Sequence, residues 1–394
     1  MAGRFRVGLG EAAGAVADLG VMVPLAAALI LVNGLDAGAV LLAAGLLVVA
    51  SGAAFGIPFP VQPLKALTAV AVAQHLSPDV IHAAGLEIAA FLLVLSAGRI
   101  ADVVARVFTR PVVRALQVGV GILLVVTAVQ LVRSPPDVFR GAPSSPWPLV
   151  LGVAALAVVA VAARTRRYVL VLVLLAGGGI AAWAIAHPGF AAPDPSLPGF
   201  GFPPLSAFGT AFLLLVVPQL PLTFGNAVVA VTDVAHEYYG ERAARVRPWR
   251  VCLSCGLGNV GSALIGGMPM CHGAGGLTAH ARLGARTAGM NLLLGGTLIG
   301  LGVLFGPQVP AILGLLPVWV LAAFLAYAGV RHALLAADLR GLELGLAVGA
   351  GLVGALLSNL AVTAAIALAA VHGAGLARRI RSRGTATAAT TAGR

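Results

Sequence analysis

Gly56-Ile-Pro-Phe-Pro-Val-Gln-Pro-Leu-Lys-Ala-Leu-Thr-Ala69 decides how this chain is read, because it breaks a long apolar region with three prolines and the only lysine in the sequence. Pro58, Pro60 and Pro63 withdraw backbone donors and block a helix through Pro60. The backbone should therefore run extended and enter a helix near Pro63. In hydrocarbon such a break survives only where protein buries it or where it lines a polar cavity, and a lysine at that depth marks a site. A second copy lies 210 residues further on: Gly266-Gly-Met-Pro-Met-Cys-His-Gly-Ala-Gly-Gly-Leu-Thr-Ala279. It too is interrupted by Gly and Pro and opens a short apolar helix. Interrupted segments at matching positions in two halves point to the binding site of a secondary transporter. A pair of kinked packing helices is the plainer alternative.

Composition narrows the class. With 60% hydrophobic and 10% charged residues among 394, the chain is no ordinary soluble domain, and its apolar runs exceed the length of a membrane span. The net charge of +12 is not a nucleic-acid signal, because the arginines sit in short clusters between apolar runs. No cleavable signal peptide is expected, since Leu9 to Val32 is long enough to span and continues into further spans. Three cysteines cannot build a disulfide framework. Cys252-Leu-Ser-Cys255 lies in an apolar helix and reads as packing. No metal or cofactor is expected.

Full spans read at 8–32, 36–55, 79–99, 112–132, 147–163, 168–187, 206–235, 250–267, 285–305, 309–330, 342–357 and 359–373. With the interrupted segments near 56–76 and 268–283 they make fourteen elements, seven per half. Counting each interrupted segment as one crossing and placing the N-terminus in the cytoplasm puts 22 of the 24 arginines inside, all but Arg133 and Arg140. Both termini are then cytoplasmic. The fold expected is an all-α polytopic membrane protein with seven elements in each half. The helix from about Pro63 to Gln74 runs outward and that from about Gly273 to Leu283 runs inward. Their N-termini then meet at mid-membrane, where unpaired N–H groups and positive dipole ends form an anion site.

At these residues the chain resembles the molybdate transporter family, a branch related to the SulP sulfate permeases. The resemblance rests on Pro60-Val-Gln-Pro-Leu-Lys-Ala-Leu67, Pro218-Gln-Leu-Pro-Leu-Thr-Phe-Gly-Asn-Ala227 and Gly267-Met-Pro-Met-Cys-His-Gly-Ala-Gly-Gly276. The opening Gly10-Glu-Ala-Ala-Gly-Ala-Val-Ala-Asp-Leu-Gly20 resembles that family's first helix. Leu64 stands where the family usually has Met, and no STAS domain is expected after the Arg-rich tail 374–394. The resemblance implies two inverted seven-helix repeats sorted into a core domain (8–100 and 206–306) that moves against a gate domain (111–190 and 308–373), and related proteins are often homodimers. It implies an inner-membrane carrier of molybdate, with sulfate as the closest rival and tungstate as a further oxyanion of the same shape.

Candidate substrate-binding residues are Gln62, Lys65, Gln219, Thr223, Asn226, His272, Gly273, Ala274 and Gly275. Lys65 sits in a first helical turn where a cation opposes the dipole, so it faces an anion or pairs with Asp18 or Glu87. Gln62 can cap the helix or donate to substrate. His272 is either a satisfied core residue or a substrate or proton group. Gly273, Ala274 and Gly275 offer backbone N–H groups with little side chain in the way. Gln219, Thr223 and Asn226 share one helical face, which meets a cavity or another helix. Asp18, Glu87 and Asp233 are the proton-coupling candidates. A nucleobase carrier of the same architecture, a passive anion channel and a membrane-embedded enzyme built on Cys271-His272 remain as rivals. No metal-ligand spacing supports the enzyme.

Overall fold

The computed structural model describes residues 5–135, 147–186, 192–357, 360, 362–371 and 373. The tail 374–394, Arg4, Arg140 and most of the expected loop 133–147 lie outside the described residues. In order the chain forms α1 (Leu9–Val16), α2 (Leu19–Leu31), α3 (Ala37–Phe55), β1 (Gln62–Pro63), α4 (Lys65–Ala73), α5 (Pro78–Ser96) and α6 (Ile100–Ala105). Then come α7 (Arg110–Arg133), α8 (Trp147–Thr165), α9 (Val169–Ala186), α10 (Ser206–Ala211), α11 (Val217–Leu222) and α12 (Val231–Tyr239). The rest is α13 (Pro248–Leu264), β2 (Met270–Cys271), α14 (Ala274–Arg282), α15 (Gly289–Phe305), α16 (Val309–Gly314), α17 (Val318–Ala333) and α18 (Gly341–Leu356).

The protein is mostly helical and multi-pass. Among the described residues, 5 helices are long and apolar enough to cross a membrane, or up to 7 when each bent pair counts as one. Shorter apolar helices follow at Leu149–Thr165, Val169–Ala184, Gly341–Leu356 and Val362–Val371. Length and apolarity thus single out fewer spans than the twelve full ones read from sequence, because several helices are short or broken. The first span bends by 42° between α1 and α2, at Ala17–Asp18. The 206–235 span runs on to Tyr239 and contains two π-helical stretches, Phe212–Val216 and Thr223–Ala230, flanking the Pro218 segment. An all-α description also needs correcting, because each interrupted segment contains a short β-strand.

Local chemistry explains where the interruptions begin. Asp36 caps α3 by accepting from the Ala39 amide at 2.6 Å, and α3 ends at Gly56 in the left-handed region, φ 74°. The second interruption likewise opens on a left-handed glycine, Gly266 at φ 81°. Only glycine takes that conformation without strain, so both breaks are set by the residue that starts them.

Packing is close because glycines face each other across helices. A Cβ on Gly45 of α3 would lie 2.7 Å from the Gly295 carbonyl oxygen of α15, and one on Gly295 would lie 2.7 Å from that of Gly45. Gly121 of α7 and Gly329 of α17 make the same reciprocal approach, at 2.6 and 2.7 Å. Such backbone contact is how apolar helices associate where lipid competes equally well for larger side chains. Cys252, Cys255 and Cys271 are buried free thiols.

Candidate functional site

The two interrupted segments meet. β1 and β2 pair antiparallel, with Gln62 opposite Cys271 and Pro63 opposite Met270. The Leu64 amide adds a bond to the Pro269 carbonyl at 3.1 Å. Antiparallel pairing sends α4 and α14, nine residues each, away from the crossing in opposite directions with their N-termini side by side. The extended backbone on either side still needs partners, and two asparagines supply them. Asn291 of α15 donates to the Phe59 carbonyl at 2.7 Å and accepts from the Phe59 amide at 3.0 Å. Asn259 of α13 does the same for Met270, at 2.7 Å in both directions. These side chains satisfy backbone groups that no water would reach.

The crossing gathers most of the sequence candidates. Gln62 is fully buried and donates through Nε2 to Asp18 Oδ1 at 2.5 Å, while its Oε1 has no partner. A Cβ on Gly276 would lie 2.6 Å from both Asp18 Oδ2 and Gln62 Nε2, so the Asp18 carboxylate rests against the first turn of α14. Among the described residues, the amides of Lys65, Ala66, Ala274, Gly275 and Gly276 meet no protein acceptor. Lys65 is half-buried, forms no ion pair among the described residues and interacts electrostatically with Asp18. Lys65 thus makes no close ion pair with Asp18 or Glu87 in this conformation, although its charge acts on Asp18 from a greater distance.

Gln219 lies here in a capping role. Its Oε1 accepts from the Leu67 amide at 2.9 Å, which closes one donor of the α4 first turn, and its Nε2 donates to Thr223 Oγ1 at 2.9 Å. Asn226 is buried with Oδ1 unpartnered. His272 has both ring nitrogens engaged: Nδ1 donates to the Pro60 carbonyl at 2.8 Å, and Nε2 accepts from Ser254 Oγ at 3.0 Å. Glu87 lies on α5 with Oε2 buried and unpartnered, and no bond joins it to the crossing among the described residues. Asp233 stands elsewhere, in an ion pair with Arg114 and bonded to Gln117 Nε2 at 3.0 Å.

Gly273 is the tightest glycine of the crossing, because a Cβ there would overlap Gln62 Oε1. Gln62 is tethered to Asp18 and cannot swing away cheaply, so Gly273→Ala should break that bond and cost about 1–3 kcal/mol, as overpacking does. Thermal unfolding would measure that cost, and an unchanged midpoint would refute the packing argument.

Several residues escaped the sequence reading. Asn259 and Asn291 clasp the crossing. Glu11 accepts from the Arg286 and Thr287 amides at 3.1 and 3.0 Å, just ahead of α15. His280 of α14 donates through Nδ1 to the Gly14 carbonyl at 2.7 Å and brings Nε2 to 4.0 Å from Asp18 Oδ2. His332 of α17 meets Thr278 of α14 at 2.8 Å. The one usable signal was a polar residue at mid-helix in an apolar run, which also describes many helix-packing residues.

Interrupted apolar helices whose N-termini converge in a multi-pass bundle are an arrangement found in membrane transporters. The sequence model described as "Molybdate transporter of MFS superfamily" matches residues 10–124 and 211–331, stretches that hold every residue of the crossing. The chain belongs to this molybdate transporter family. It is 31% identical over 379 residues to Molybdate transporter 2 of Arabidopsis thaliana, covering 84% of this chain and 80% of that one. It is 29% identical to Molybdate transporter 1 of Chlamydomonas reinhardtii, covering 82% and 83%. Its fold resembles the transmembrane domain of the cyanobacterial bicarbonate transporter BicA, with TM-score 0.57 at 18% identity over 90% of this chain and 96% of that one. The murine Slc26a9 anion transporter in its inward-facing state gives 0.56 at 14% identity, over 95% and 70%.

Proposed function

We propose that this chain is a secondary active transporter of molybdate, driven by protons, in which a core domain (8–100 and 206–306) carries the anion past a gate domain (111–190 and 308–373). One observation carries the reading: two half-helix N-termini with free first-turn amides lie together beside the chain's only lysine. Such a place attracts a tetrahedral oxyanion and repels a cation. The names of the relatives select molybdate within that class.

Inverted repeats are supported by the packing. A slide of 210 residues carries α3 onto α13, α5 onto α15 and α4 onto α14 to within about one residue. It also turns the α3–α15 contact into the α13–α5 contact, and both pairs pack along their lengths. A cytoplasmic location of the arginine clusters, and so of both termini, is supported by contacts that draw them to one end. Asp102 pairs with Arg99 and accepts from the Trp249 amide, Arg242 reaches the Arg286 carbonyl, and Arg110 and Arg114 share Asp338. The inner membrane is the corresponding location.

Asp18 is the proton carrier this geometry favours over Glu87 and Asp233. Its carboxylate already lies against the α14 first turn, so it competes with the substrate for the same positive end. Two negative charges about 5 Å apart at an effective dielectric near 20 repel by about 3 kcal/mol, and a doubly charged oxyanion roughly doubles that. Protonating Asp18 removes the penalty. Gln62, Lys65, Cys271 and His280 are the groups that face it.

The test is uptake of radiolabelled molybdate into proteoliposomes, with and without an inward proton gradient, with excess sulfate or tungstate as competitor. Uptake should rise with the gradient and resist sulfate, and Asp18→Asn should make it indifferent to the gradient. Strong suppression by sulfate would reassign the protein as a general oxyanion or sulfate permease. Failure to accumulate molybdate uphill would leave a passive channel and sink the carrier.

A further inference from the structure

A groove of about 580 Å3 runs between α3 and α13, on the opposite side of His272 from the Pro60 carbonyl. That volume lies within the range of roughly 300–1,000 Å3 typical of ligand sites. Leu46 and Ala50 of α3 and Leu253, Leu257 and Gly261 of α13 form its walls. Leu46 is 51% exposed and Leu257 59%, so the groove opens at the bundle surface. From Arg250 to Ile265 helix α13 rises about 22 Å, at 1.5 Å per residue. One leaflet of a hydrocarbon core is about 15 Å thick, half of the whole. The groove is therefore long enough to hold an acyl chain along a full leaflet.

Its polar end is what makes it selective. Trp249 and Arg250 stand there, with the guanidinium 5.2 Å from the centre of the indole ring. Arg250 is exposed and has no ion pair among the described residues. A tryptophan at the start of an apolar helix belongs at the membrane–water boundary, and a guanidinium presents a fork that fits phosphate. A hydrocarbon chain alone would leave that charge without a counter-ion. We infer that the groove between α3 and α13 binds an anionic phospholipid, with its phosphate at Arg250 and an acyl chain against Leu253, Leu257 and Gly261.

The lipid would sit close to the transport machinery. Ser254 lines the groove and donates to His272 Nε2 at 3.0 Å, and His272 in turn holds the Pro60 carbonyl. Phe55 also lines it and meets the His272 ring edge-on, with centroids 5.9 Å apart.

Native mass spectrometry of the full chain in detergent, titrated with phosphatidylglycerol or phosphatidylcholine, tests this without reference to what is transported. A phosphatidylglycerol adduct should persist under activation that strips phosphatidylcholine. Arg250→Ala should lower the retained adduct about fivefold, the share one arginine contributes to attraction for an anionic lipid. Gly261→Phe should lower it further by filling the groove, since a Cβ at Gly261 meets nothing within 4 Å. Equal retention of the two lipids, or an adduct indifferent to Arg250→Ala, would overturn the proposal. So would a dimer that dissociates in the Gly261→Phe variant, because a second copy would then be the occupant.

Discussion

Lys65→Ala should reduce molybdate uptake to background while leaving the protein as stable as before, or slightly more stable. The expectation joins two opposite effects of one charge. Without substrate, Lys65 lies in the first turn of α4 with no ion pair among the described residues. There it opposes the helix dipole, an interaction worth about 0.3–1 kcal/mol, and its attraction to Asp18 offsets part of that, so its removal changes the stability of the empty protein little. With an oxyanion in place the same ammonium is its full positive charge. Losing one partner of a desolvated charge pair costs about 2–5 kcal/mol, and about 3 kcal/mol is roughly a hundredfold in binding. Lys65→Arg should retain part of the uptake because the charge persists. Uptake and thermal unfolding measured on the same preparations separate the two effects, and an active Lys65→Ala protein would refute the anion site.

Arg114→Ala should be strongly destabilising. The Arg114 side chain is 2% exposed and is held by Asp233 of α12, Asp338 beyond α17 and Gln117 one turn along α7. Deleting it leaves Asp233 with Gln117 alone and Asp338 with Arg110 alone, and breaking a buried pair costs about 3–5 kcal/mol. The lower end applies here, about 3 kcal/mol, because the Asp233 and Asp338 side chains are 34% and 27% exposed. Arg114→Lys should rescue little, since one ammonium cannot reach three acceptors in a plane. Adding Asp233→Ala to Arg114→Ala should cost less than the two single losses combined, which unfolding of the four proteins would show. Strict additivity would mean that the network is only geometric.

The crossing was legible in the sequence because proline and glycine act locally. Three prolines in one segment, a starting glycine in each, and the shared Leu-Thr-Ala gave the position and register of the breaks, and helix starts at Lys65 and Ala274 lie within two residues of those expected. The strand pairing needed two segments 210 residues apart to be seen together. The bend at Ala17–Asp18 left less of a mark, because no proline or glycine sits at the break and Asp18 is held by Gln62 from another element. Gln219 was read as facing either a cavity or a helix, and nothing in its spacing could tell that its partner would be the Leu67 amide. Asn259 and Asn291 looked like two more polar residues in apolar helices. Their bonds to Met270 and Phe59 depend on tertiary placement alone.

Those two asparagines also bear on how selectivity and speed could be separated. Each fastens one half of the crossing to a helix of the proposed core, so a core that moves as proposed would carry the crossing as one small body. Ion preference should then be heritable separately from turnover rate. Substitutions around Gln62 and Gly273 would retune which anion is chosen, while those where Leu124 of α7 meets Gly275 would change speed and leave the choice alone.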